Sequence, residues 1–326
     1  MKHLKLTALL LALLLVLPLA LSGCGKTESP DTIRVAALKG PTGMGMAPLM
    51  DCAKNNTAKQ NYTFTIEGAP DAVNALLISG EVDIAAVPVN VASVLFNKTA
   101  GQIQVAGINT KGVLYLVEDG NTVQSIADLK GKTVYASGKG ATPEHILNHV
   151  LTKNGLTPGT DVTVEYLSEH AEVITALAQG KATIGLLPEP NVTSALAGND
   201  KLRIAVNMTE AWDAIADTTL VQGVIVVNKT FAETYPDAVK TFMEEYAASV
   251  EYVNANPAEA SVMIEAAGII PKAALAQKAI PTSNICLITG EEMKAALVPL
   301  YDVLFAANPA SIGGTLPTDA FYYVGK

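Results

Sequence analysis

The chain has 326 residues, 49% of them hydrophobic and only 5% aromatic, with a formal net charge of −9 at pH 7. Its arginines number two, Arg34 and Arg203, and no basic cluster occurs, which excludes a nucleic-acid-binding role. Beyond residue 31 about 295 residues remain, enough for two lobes that each bury a core.

Met1 to Lys5 is short and basic, and residues 6–21 form an apolar run broken only by Thr7 and Pro18. That run is shorter than the roughly 20 residues a spanning helix needs, and small residues follow it, the layout of a secretory signal over 1–23. Leu21-Ser22-Gly23-Cys24 resembles the bacterial lipobox, which implies that Cys24 becomes the mature N-terminus and carries a thioether-linked diacylglycerol. Two or three acyl chains, palmitate among them, would anchor a water-soluble domain at the outer face of the cell membrane. Residues 24–31 are polar and unpatterned and read as a tether.

From residue 32 the elements come in two matching units. The first unit predicts a strand over 33–38, a glycine loop, a helix over 47–59, a strand over 63–67, a helix over 72–79 closed by Gly80, and a strand over 83–87 running into Pro88. The second predicts strands over 133–136, 162–166 and 183–187 and helices over 143–154 and 172–179, the last closed by Gly180. Ala36, Lys39, Gly40 and Thr42 match Ala136, Lys139, Gly140 and Thr142, and Gly80, Ile84 and Pro88 match Gly180, Ile184 and Pro188, all at one offset of 100. Strands alternating with helices argue for parallel α/β units. After Leu196 come a strand over 201–206, a short helix over 209–215 with Trp212, a strand over 221–228, and helices over 236–254, 257–267 and 291–306. Residues 311–326 form a tail rich in Gly, Pro and Tyr.

Asp128-Leu129-Lys130-Gly131-Lys132-Thr133-Val134 ahead of Gly138-Lys139-Gly140-Ala141-Thr142, then Leu151-Thr152-Lys153-Asn154-Gly155-Leu156 and Ala178-Gln179-Gly180-Lys181-Ala182, resemble the solute-binding proteins of importers for aliphatic sulfonates, taurine, nitrate and thiamine pyrimidine precursors. The resemblance covers nearly the whole mature chain. It implies an α/β, two-lobed type II periplasmic-binding-protein fold, with mixed sheets flanked by helices and a hinged cleft between lobes. Carried over by position, lobe I is 32–114 with 219–326 and lobe II is 115–218, with crossing strands at 115–117 and 221–226. The function implied is capture of a small polar organic solute for an ABC importer, by a monomer partnered with permease and ATPase subunits. The chain departs from oxyanion-binding relatives in offering few cationic side chains. An enzyme on the same fold, like the dehydratase-like enzymes of menaquinone synthesis, and a surface sensor are the rival readings, and the lipobox argues against the first.

In open α/β sheets ligands sit beyond the carboxyl ends of strands. The ligand-binding candidates at such ends are Gly40, Pro41, Thr42 and Gly43, whose backbone N–H groups open a helix, then Pro88, Asn90, Asn109, Thr142 and Glu189. Thr42 and Thr142 also suit helix N-caps, and Glu189 also reads as a solvated loop carboxylate. His145 and His149 lie four apart on one helix, a zinc-compatible spacing that lacks a fixed third ligand, so no metal is expected. No Ser/His/Asp order, phosphate loop or paired carboxylate stands out, so neither a catalytic set nor a cofactor is expected. Cys52 and Cys286 are either a disulfide within lobe I or two buried thiols.

Overall fold

A computed structural model describes residues 29–216 and 219–325. The signal peptide expected over 1–23 and the lipid site expected at Cys24 therefore lie outside the described residues.

The first unit runs β1 (Ile33–Leu38), α1 (Pro41–Met44), α2 (Ala47–Lys54), β2 (Tyr62–Glu67), α3 (Pro70–Ser79), β3 (Ile84–Pro88), α4 (Val89–Lys98) and β4 (Ile103–Lys111). The second runs β5 (Leu114–Asp119), β6 (Thr133–Ser137), α5 (Thr142–Lys153), β7 (Thr163–Leu167), α6 (His170–Ala178), β8 (Ile184–Pro188), α7 (Asn191–Gly198), β9 (Leu202–Asn207) and α8 (Met208–Asp213). The chain then forms β10 (Val221–Asn228), α9 (Lys229–Thr234), α10 (Pro236–Ala255), α11 (Pro257–Ala266), α12 (Ala273–Ala279), β11 (Ile285–Ile288) and α13 (Gly290–Ala307). Proline stands in the first turn of α3, α5, α10 and α11, where its missing N–H costs nothing.

β1 is buried at every position except Arg34, because helices cover both faces of its sheet. That sheet has the order β11-β4-β10-β3-β1-β2, and the other β7-β6-β8-β5-β9. β2, β1 and β3 are parallel, as are β7, β6 and β8, and each trio is followed by an antiparallel strand, β10 or β5. Each sheet thus takes its antiparallel strand from chain that has just left the other, through two crossings. The crossings lie side by side: Gly112 N donates to Leu220 O at 2.7 Å, and Lys111 pairs with Val221.

Some elements differ from expectation. The helix expected over 47–59 ends at Lys54, where Asn56 takes a left-handed φ of 56° and Thr57 N turns back onto Cys52 O. β4 carries Gly107, Asn109 and Thr110, which hid it as a strand, yet it is buried along almost its whole length. β11, four residues at a sheet edge, also went unread. Cys52 and Cys286 are separate free thiols, one on α2 and one on β11; burial pushes the Cys286 thiol up to about 11.

Candidate functional site

At the ends of β1, β3 and β4 the glycine loop is built around Gly40, which caps α1 with φ 94°, a conformation side chains resist. Its amide donates to Ile269 O at 3.3 Å, and Gly43 N returns to Gly40 O at 3.0 Å, so these two amides are engaged within the fold. Pro41 opens the short helix, and Thr42 lies within it rather than at its cap. Asn109, wholly buried, donates to Thr42 O at 2.8 Å and accepts from Thr110 Oγ1 at 3.2 Å. Between them passes Gly223, paired with Pro88 on one side and Thr110 on the other. A Cβ on Gly223 would sit 2.6 Å from Asn109 Oδ1 and 2.8 Å from Thr42 Cγ2. Thr42, Pro88 and Asn109 are thus brought together, and Gly223, which sequence reasoning missed, lets them meet. Asn90 points elsewhere, its amide 3.4 Å from Ser311 O.

At the ends of β6 and β8, Glu189 is 3% exposed. Its carboxylate accepts from Thr193 N at 3.2 Å, Thr193 Oγ1 at 3.1 Å and Thr282 Oγ1 at 2.6 Å, and its amide donates to Val113 O at the first crossing. Burial pushes its pKa up, against those hydrogen bonds. The solvated-loop reading of Glu189 is thereby corrected: the turn folds the side chain inward onto the segment before β11. That segment was also missed; Thr282 O accepts from Tyr115 OH at 2.7 Å, and Asn284 donates to Gly112 O at 2.6 Å. The polar run Thr282-Ser283-Asn284 between apolar stretches was the available signal. Thr142 is nearly buried in the first turn of α5, but Ala141 is the cap. In the loop before it, Gly140 N donates to the Glu144 carboxylate.

A cleft of ≈ 840 Å³ opens between α5 and the C-terminal end of α13. Glu144, His145, Asn148 and His149 form one wall, and Asp302 and Asn308 stand on the other. None of the strand-end candidates lines it; Gly140 and the first turn of α5 connect it to Thr142. The His145 Nε2 atom is buried without a hydrogen-bond partner. The His149 ring lies 5.0 Å from that of Trp212, and burial, with Lys153 nearby, holds its pKa down. Among the described residues no group of three or more His, Cys, Asp or Glu is placed to hold a metal ion.

Both arginines lie away from these positions. Arg34 pairs with Asp83 at 2.5 Å and Arg203 with Glu118 at 2.6 Å. Burial works to raise the Glu118 pKa, but hydrogen bonds from Thr122, Val123 and Arg203 hold it below the usual carboxylate range.

A family model described as NMT1/THI5 like matches residues 65–260. No curated protein matches the sequence. Among solved structures, an ABC transporter protein from Parabacteroides distasonis is 26% identical with a TM-score of 0.75, over 90% of this chain and 99% of the other. The periplasmic aliphatic sulphonate binding protein SsuA from Escherichia coli is 19% identical with a TM-score of 0.69, over 91% and 95%. The alkanesulfonate-binding protein SsuA from Xanthomonas axonopodis pv. citri, solved bound to MOPS, is 19% identical with a TM-score of 0.61, over 86% and 94%. The periplasmic-binding-protein fold expected from the sequence is the fold observed.

Proposed function

Because this chain belongs to the NMT1/THI5-like family, we propose that it is the solute-binding component of an ABC importer, held at the outer face of the cell membrane by lipid on Cys24. The observation that carries the reading is the cleft: one wall is α5, which connects β6 to β7, and the other is α13, which packs on β4 and β10 of the other sheet. A small polar organic molecule seated there touches both halves of the fold. The lobes in this reading are 32–114 with 219–326, and 115–218, and the paired crossings at Gly112 and Leu220 serve as the hinge. The strand-end residues Gly40, Pro41, Thr42, Gly43, Pro88, Asn90, Asn109, Thr142 and Glu189 do not line this cleft, so in this reading they are not its solute contacts. Permease and ATPase subunits would respond to the closed form.

A thermal-shift panel of small polar organic solutes tests this, run on the wild-type protein and on Ala306→Trp, which fills the cleft from exposed positions of α13. A solute at about 100 times its Kd should stabilise the wild-type fold by about 2.7 kcal/mol and leave the variant unmoved. Equal stabilisation of both proteins would refute binding in the cleft. For the anchor, Cys24→Ala should abolish lipid labelling and release the protein from the membrane fraction; unchanged membrane partitioning would count against the lipid.

A further inference from the structure

We propose that the solute is an organic cation rich in N–H donors, of the polyamine or amidine class, rather than an oxyanion; this rests on the reading of the α5–α13 cleft as the solute site. The charged groups that line the cleft are the carboxylates of Glu144 and Asp302, and among the described residues neither lysine nor arginine lines it. The chain has two guanidinium groups to offer, and both are held in ion pairs elsewhere, with Asp83 and Glu118. The uncharged lining supplies acceptors. The amide oxygens of Asn148 and Asn308 can receive an N–H. Burial favours the neutral form of His149, which likewise keeps a nitrogen lone pair. The backbone donor nearest the wall, Gly140 N, is already taken by the Glu144 carboxylate and is not offered to an anion. A sulfonate or carboxylate would face two like charges with no cation among the lining residues, Lys153 standing near His149 but outside the lining, whereas an ammonium or amidinium meets complementary charge and several acceptors. The volume of the cleft falls within the range of small-molecule sites.

Isothermal titration of the purified protein with spermidine, agmatine and pentane-1-sulfonate, each against wild type, Asp302→Asn and Ala306→Trp, decides the matter. Asp302 is exposed on α13, so its replacement leaves the fold intact, which a melting curve checks. The expected result is binding of spermidine or agmatine, weakened about threefold to tenfold by Asp302→Asn, weakened by added salt, and abolished by Ala306→Trp. Binding of the sulfonate alone, undiminished by Asp302→Asn and abolished by Ala306→Trp, overturns the cation class and leaves the cleft as the solute site. Failure of both amines to bind wild type also overturns the cation class. Amine binding that survives Ala306→Trp removes the cleft reading and this inference with it.

Discussion

Gly223 is the residue on which the strand-end cluster turns. Its φ is unremarkable for any side chain; what it supplies is empty space, because a Cβ would fall 2.6 Å from Asn109 Oδ1. Gly223→Ala should therefore destabilise the fold by about 1–3 kcal/mol through overpacking, and Asn109→Ala in the same chain should restore part of that loss, since the two sites share one contact. Denaturant unfolding of the four proteins measures the coupling, and strict additivity would contradict it. Glu189 is the second such residue. Its pKa in the fold is raised by burial, so its contribution to stability is full below its unfolded value near 4.3 and is lost as pH rises through the folded value. Glu189→Gln cannot ionise, and its stability should lack that decline. The wild-type advantage over the variant should shrink between pH 4 and pH 7 in guanidinium unfolding, and a gap that widens with pH would reverse the sign of the account. Little of this was legible in the sequence: Asn109 and Glu189 stood out as polar residues at strand ends, but while Thr193 lies only four residues beyond Glu189, Thr42 and Thr282 come from distant segments that only the assembled sheets bring near.

At the level of elements, the repeat was readable because it lies in local chemistry. Gly80, a left-handed cap on α3, and Gly180, in the turn after α6, each take a positive φ, and Pro88 and Pro188 end equivalent strands. β4 and β11 were not readable, since β4 interrupts its apolar residues with Gly107, Asn109 and Thr110 and β11 is only four residues long. The cleft wall on α13 was likewise out of reach, for Asp302 and Asn308 meet α5 only through packing of chain segments some 150 residues apart. The expected tail is also more ordered than its composition suggested, because α4 clamps it. Ser93 Oγ and Asn97 Nδ2 both donate to Ile312 O, at 2.8 and 3.0 Å, and Asn97 Nδ2 also reaches Thr315 O at 3.0 Å. Asn97→Ala should cost about 1–2 kcal/mol and speed amide exchange across residues 310–316. Exchange that rises elsewhere while this segment stays protected would refute the clamp.

For the molecule as a whole, two sheets that exchange their antiparallel strands are joined by two adjacent chain passes, a connection that permits rotation of one half against the other. The Glu189–Thr282 and Tyr115–Thr282 contacts lie beside those passes, where a rotation moves atoms least, while the α5–α13 cleft lies between helices belonging to opposite halves. A solute held by both walls should therefore draw them together. Small-angle X-ray scattering of the purified protein, with and without a saturating amount of whichever solute most raises its melting temperature, measures this directly. The account predicts a smaller radius of gyration with solute for the wild type and none of that change for Ala306→Trp; identical scattering of the wild-type protein in both conditions would contradict it.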